Sequence, residues 1–203
     1  MKNTIKINEI FEDIEGEGLN QGIPTIFVRL AGCNLRCAWC DTKYAYYKGR
    51  KMDIAVIAGR INRSKCGYVN ITGGEPLLCK GEVKKLIKKI KNKFVAVETN
   101  GSVSVRGTGA DMISMDYKLP SSREHKKMLK SNLKLLRKKD QLKLVIGSVK
   151  DMNYARGILR KNKVKARIIA QPVWKKFSID KIRKFVLKND LNWRVGVQLH
   201  KLI

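Results

Sequence analysis

The chain has 203 residues, 43% of them hydrophobic and 30% charged, with a formal net charge of +27 at pH 7. That length suffices for one domain with a sizeable core and is short for two. No run approaches the ~20 apolar residues of a membrane span, and Met1–Glu9 lacks the apolar stretch of a secretory signal, so a cytoplasmic chain without a membrane partner is expected.

The positive charge is uneven. Residues 1–41 hold four basic and six acidic side chains, so the excess lies wholly beyond residue 41. The lysines there are spread over every helix-like segment rather than gathered into one tract, as on solvated helix faces. A basic surface also attracts acidic partners over long range.

In chain order, apolar β-prone runs predict strands at 25–30, 68–71, 94–98, 112–115, 142–146, 166–170 and 193–199. Between them lie helical spacings. Val83, Leu86, Ile87 and Ile90 fall on one face. Ile179, Ile182, Phe185 and Val186 do the same after Ser178, which predicts an N-cap. Shorter helical patterns cover Met128–Leu136 and Tyr154–Leu159. Alternation of this kind implies an α/β fold with a mostly parallel sheet and functional groups at the C-terminal strand ends. Seven strands fall one short of a closed barrel of eight, so the expected architecture is a partial, open TIM-like β/α barrel in a single domain, 1–203.

Polar motifs sit where that architecture wants them. Thr72-Gly73-Gly74-Glu75-Pro76, Thr99-Asn100-Gly101 and Asp116-Tyr117-Lys118 follow successive strands, and Gln171-Pro172 and Gln198-Leu199-His200-Lys201 close the later ones. Three of the five cysteines form a C-x3-C-x2-C array, Cys33, Cys37 and Cys40; Cys66 and Cys79 stand alone and read as packing thiols. In a reducing compartment a tight cluster signals metal or catalysis rather than disulfides. Three thiolates on one loop can cap three irons of a cubane and leave the fourth open. Zinc is the alternative, but it wants a fourth ligand at matching spacing, and His125 and His200 are distant and isolated. His125 reads as a surface residue.

The array, with Trp39 before its third cysteine and Gly73-Gly74-Glu75-Pro76 after the next strand, resembles the defining motifs of the radical S-adenosylmethionine superfamily. Four blocks extend the resemblance to the 7-carboxy-7-deazaguanine synthase family: Glu9–Gly18, Phe27–Thr42, Thr72–Pro76 with Glu98–Gly101, and Asp116–Ser122 with Val197–Lys201. Glu15 stands where that family usually has Gln, and Asp116–Leu119 departs from its usual Ser-Pro-Lys-Pro.

The resemblance implies a carbon–nitrogen lyase that contracts the ring of 6-carboxy-5,6,7,8-tetrahydropterin, using a [4Fe-4S] cluster, S-adenosylmethionine and Mg²⁺. Cys33, Cys37 and Cys40 would hold the cluster and Thr42 the Mg²⁺. Trp39, Cys40, Asp41 and Gly74 would contact S-adenosylmethionine. Strand-end Glu98, Asn100, Asp116, Tyr117, Lys118 and Ser121, with Gln171, would surround its ribose and adenine. Substrate contacts would come from Ile14, Glu15, Gly16, Arg29, Thr72 and Ile203, the last through a C-terminal carboxylate. The implied partners are an acidic electron donor of flavodoxin or ferredoxin type and a second copy in a homodimer, with no direct contact to nucleic acid. Two other readings carry different signatures. A glycyl-radical activating enzyme would share the cysteine loop but not the Glu9–Gly18 opening. A basic nucleic-acid-binding module with a structural metal would show steep salt dependence.

Overall fold

Strand residues alternate between two faces, and this alternation separates the core from the site. The computed structural model describes residues 3–202. Nine strands, β1 (Thr4–Ile14), β2 (Pro24–Leu30), β3 (Arg50–Asp53), β4 (Tyr68–Gly73), β5 (Phe94–Thr99), β6 (Met112–Asp116), β7 (Gln141–Ile146), β8 (Arg167–Pro172) and β9 (Trp193–Val195), make one sheet in the order β3-β1-β2-β4-β5-β6-β7-β8-β9. From β2 through β9 the neighbours are parallel, while β1 runs antiparallel to β2 and β3. The helices are α1 (Ile54–Arg63), α2 (Lys80–Lys89), the single turn α3 (Asn132–Leu135), α4 (Val149–Lys161) and α5 (Ile179–Lys188). None is long and apolar enough to cross a membrane.

One face of the sheet carries Val28, Val69, Ile71, Val95, Val97, Ile113, Leu142 and Leu144, which form a single core with Ile57 and Ile61 of α1, Leu86 of α2, Met152 of α4 and Ile182 of α5. The other face presents Arg29, Asn70, Thr72, Glu98, Ser114, Asp116, Lys143 and Gln171 at alternate positions of the same strands. At its lower end Tyr68, Ala96 and Met112 pack with Leu19. An apolar plug there leaves the polar residues enclosed above it.

The seven expected strands are the seven parallel ones, and the sheet is open as expected. Two strands carry no clear pattern of their own. In β1 alternation breaks at a bulge between Ile7 and Glu9, and β3, Arg-Lys-Met-Asp, is ordered by pairing with β1. The run at 193–199 holds strand only to Val195, after which Leu199–Lys201 turns in a 3-10 helix. The helix expected over Met128–Leu136 contracts to α3, whose Asn132 amide donates to the carbonyls of Gly101 and Val103 at 3.1 and 2.8 Å. α1 is an addition, capped by Asp53 accepting from the Ala55 N–H at 2.7 Å. Ser178 does precede α5, but its side chain makes no cap hydrogen bond.

Candidate active site

The C-terminal ends of the parallel strands, the turn at Ile14–Glu17 and the cysteine loop enclose a cavity of about 720 Å³. All three clustered cysteines line it. Cys66 and Cys79 lie apart in the core packing, as expected of inert thiols.

The cysteine loop is pinned from several sides. Gly32 N–H donates to the Ala45 carbonyl at 2.9 Å, Ala38 N–H to Ser122 at 3.0 Å, and Arg36 N–H to the Glu124 carboxylate at 2.6 Å. The Arg36 guanidinium binds the Cys33 carbonyl at 2.9 Å and lies 4.4 Å from the Tyr46 ring centre. Gly73 and Gly74 pass directly beneath. Gly73 has φ +129°, and a Cβ on Gly74 would collide with the Gly32 carbonyl, so only glycine allows this approach. Glu75 then ties the next strand end in place, accepting from Thr99 Oγ1 at 2.8 Å and Asn100 N–H at 2.6 Å.

Facing the loop is a charged floor. Lys143, on β7, donates to Glu17 at 2.6 Å and to Glu98 at 2.7 Å. Thr72 Oγ1 donates to Glu98 at 2.9 Å, and the Gln198 amide donates to Glu17 at 2.7 Å. Burial alone would raise the Glu17 carboxyl, but Lys143 overrides it by charge and hydrogen bonding and holds it at about 2. Burial likewise disfavours the Lys143 ammonium, yet Glu17 and Glu98 lift it well above its ordinary value. Lys143 is therefore a permanent cation and not a proton donor near neutrality.

Arg29 lies between the rings of Phe11 and Tyr44, 5.4 and 5.9 Å from their centres. Its Nε donates to Glu9 at 2.6 Å. Its two terminal nitrogens donate no hydrogen bond within the described residues, which leaves one side of the fork for a ligand carboxylate. Across the cavity Lys118 pairs with Asp116 at 2.8 Å and lies 4.9 Å from the Trp39 ring centre. Burial opposes its charge, and Asp116 more than restores it.

The structure gathers most of the expected residues around this one cavity: Ile14, Glu15, Gly16, Arg29, Trp39, Asp41, Thr42, Thr72, Gly74, Glu98, Asn100, Asp116, Lys118 and Gln171 join the cysteines. Tyr117 does not. Strand alternation turns it away from Asp116 and Lys118 into the core. Ser121 is also outside the lining; its N–H binds Asp151 at 2.9 Å and its side chain packs beside Gly147. His125 is half-buried rather than on the surface, edge-on to Tyr154 at 5.5 Å. Ile203 lies outside the described residues. His200 and Lys201 reach the cavity rim. Lys143 and Asn70 are the residues that motif reading left out, and Glu17 enters it only as part of the Glu9–Gly18 block. A lone Lys or Asn inside an otherwise apolar parallel strand is the signal that points to Lys143 and Asn70, because such a side chain needs buried partners.

The lining suits a cluster with S-adenosylmethionine. Cys33, Cys37 and Cys40 remain free thiols, and burial raises Cys37 to about 11, so a ligated iron would have to displace its proton. Among the described residues no three His, Cys, Asp or Glu side chains are grouped to hold one metal ion. Three thiolates capping three different irons need no such convergence. Trp39 Nε1, Asp116 Oδ1 and both polar atoms of Gln171 are buried without hydrogen-bond partners among the described residues. Gln171 stands near enough to Glu17 to help hold its charge but lacks hydrogen-bond geometry to it. Such orphaned atoms around a cavity mark groups that a polar ligand would satisfy.

The chain matches the Radical SAM superfamily over residues 27–152. It is 40% identical to a 7-carboxy-7-deazaguanine synthase of Methanospirillum hungatei over 98% of this chain and 85% of that protein. It is 38% identical to a synthase of the same name from Thermoplasma acidophilum, over 97% and 96% of the two chains. The crystal structure of QueE from Escherichia coli aligns with TM-score 0.81 at 26% identity, covering 97% of this chain and 95% of that one. Fold, cysteine loop and full-length similarity agree: the chain belongs to the 7-carboxy-7-deazaguanine synthase family of the radical S-adenosylmethionine superfamily.

Proposed function

We infer that the protein is a 7-carboxy-7-deazaguanine synthase, a carbon–nitrogen lyase of 7-deazapurine biosynthesis. It converts 6-carboxy-5,6,7,8-tetrahydropterin into 7-carboxy-7-deazaguanine with loss of ammonia. The observation that carries this reading is the meeting, in one cavity, of the three clustered cysteines, the Gly73–Gly74 turn and the partly free Arg29 fork. When bound and reduced by one electron from an external donor, a cluster held by Cys33, Cys37 and Cys40 would supply radical chemistry, with S-adenosylmethionine leaving as methionine and its 5′-deoxyadenosyl part accepting the substrate hydrogen.

The chain's own residues bind, orient and exclude water. Cys33, Cys37 and Cys40 hold the cluster. The Gly74 backbone, Trp39, Cys40, Asp41, Asn100, Asp116, Lys118, Gln171 and Glu98 take S-adenosylmethionine. Arg29 clamps the substrate carboxylate, with Ile14, Glu15, Gly16 and Thr72 around the ring. Thr42 holds Mg²⁺; its hydroxyl now donates to Asp41 at 3.2 Å and would turn to offer oxygen to a hard cation. We place the enzyme in the cytoplasm as a single-domain homodimer, reduced by an acidic flavodoxin or ferredoxin.

Anaerobic reconstitution with iron and sulfide, followed by a visible spectrum and product analysis by mass, tests the reading. An iron–sulfur chromophore with pterin-dependent formation of the deazaguanine is the expected result. A colourless zinc protein, or a chromophore with no pterin turnover, would sink it.

A further inference from the structure

Glu15 is a carboxyl of the cavity that forms no ion pair among the described residues, although Glu17 and Glu98 beside it both bind Lys143. It is 6% exposed. Its Oε2 accepts from the Asn70 amide nitrogen at 2.7 Å, and Oε1 receives only a long 3.4 Å contact from the Glu17 N–H. Asn70, on β4, is itself 2% exposed, and its Oδ1 is buried with no donor among the described residues. An ionised Glu15 only accepts, so it cannot satisfy that oxygen; a neutral carboxyl carries an O–H that can. A carboxylic acid facing a carboxamide offers one donor and one acceptor on each side.

The surroundings push the same way. Glu17 on the same segment and Glu98 on β5 are negative, Lys143 on β7 is spent on those two, and Tyr68 on β4 is neutral. Arg29 on β2 is engaged by Glu9, and His200 packs against Gly16. Burial above all, and then the charge of Glu98, lift Glu15 to about 7 against the partial opposition of the Asn70 hydrogen bond and Lys143.

We propose that Glu15 is held as a neutral acid in a two-hydrogen-bond pair with Asn70, and that this pair fixes the Ile14–Gly16 wall, Glu15 included, against the substrate. Ionising Glu15 loses the O–H donor and sets another negative charge beside a substrate that is itself a carboxylate. Substrate binding therefore weakens as the pH rises through neutrality. This rests on the reading that the cavity holds the carboxy-pterin.

Glu15→Gln tests it, since a carboxamide keeps one donor and one acceptor but cannot ionise. Raising a buried carboxyl gives a stability contribution that is full below about pH 4.5 and lost as the pH climbs through about 7. The melting temperature of the variant, measured on the protein without cluster, should therefore gain on wild type between pH 5.5 and 8.5. With the reconstituted enzyme, KM for the pterin in wild type should rise about tenfold from pH 6 to pH 8, the change expected for losing a proton near pH 7. The variant should lack that rise, and the difference should lie in KM rather than kcat. Carbon-13 NMR of glutamate-labelled wild type should show one carboxyl titrating near neutrality, which keeps the test open should the variant fold poorly.

A melting difference that ignores pH, no such carboxyl resonance, or the same KM profile in both proteins overturns the proposal. A pH-dependent melting difference in a protein that binds no pterin at any pH would overturn the proposed function and leave the Glu15–Asn70 pair standing.

Discussion

The sulfur wall of the cavity is supplied by eight consecutive residues, Cys33 to Cys40, whereas the floor draws Glu17, Glu98, Lys143 and Gln198 from four distant segments. The loop is held by hydrogen bonds, many from neutral or exposed side chains, to neighbouring turns, and its thiols are half-buried. The floor is held by charges buried inside the barrel. A defect in the loop should therefore cost chemistry and spare the fold. A defect in the floor should cost both, because an unpaired buried charge destabilises the whole assembly.

Cys37→Ala gives the largest effect. Two thiolates cannot hold the cluster securely, so the iron–sulfur absorbance and all turnover should vanish while the melting transition stays near that of the metal-free wild type. A collapse of the fold would erase the distinction between the two walls.

Lys143→Met is the reciprocal change. It strands Glu17 and Glu98, and losing one partner of a buried pair costs about 3–5 kcal/mol, readable by urea unfolding. The lowered Glu17 carboxyl contributes stability that is present above about pH 4.5 and fades as the pH falls toward about 2. The variant should lose that acid dependence, and adding Glu17→Gln should recover part of the stability. Unfolding curves that superimpose on wild type would mean that the floor pairs carry no net energy.

Arg29→Lys probes the seam where the walls meet. A point charge cannot reproduce a forked contact to a carboxylate, so the loss should be about 1.5–3 kcal/mol, or roughly 10- to 150-fold in substrate affinity. Cleavage of S-adenosylmethionine without substrate should hardly change; equal damage to both would assign Arg29 to the cluster wall. Thr42→Ala should act more mildly, keeping the cluster while lowering turnover and blunting its response to added Mg²⁺.

The smallest effect concerns the outer rim of the loop, where Arg36, Lys43 and Lys48 are basic. Turnover driven by an acidic protein donor should fall from low to moderate salt, as screening shortens to ~8–10 Å near physiological ionic strength. Turnover driven by a small chemical reductant should fall much less. Identical salt curves would assign the lysines to solvated helix faces.

The sequence alone determined what is local. Three cysteines within eight residues, a Gly-Gly turn after a strand and seven apolar runs are short-range patterns, and each corresponds to an element or a cavity wall in the folded chain. Tertiary structure decided what depends on pairing. β1 is ordered by pairing with β2 and β3 on its two sides, and β3 by pairing with β1, with too few apolar residues in β3 to announce a strand. Strand register also decided direction: Asp116 and Lys118 face the cavity while Tyr117, between them, enters the core. The Glu17–Lys143–Glu98 bridge joins residues separated by as many as 126 positions, and the Glu15–Asn70 contact spans 55. No spacing rule reaches so far along the chain. Charges isolated in sequence become a buried network only when a parallel sheet brings alternate side chains of neighbouring strands together on its inner face.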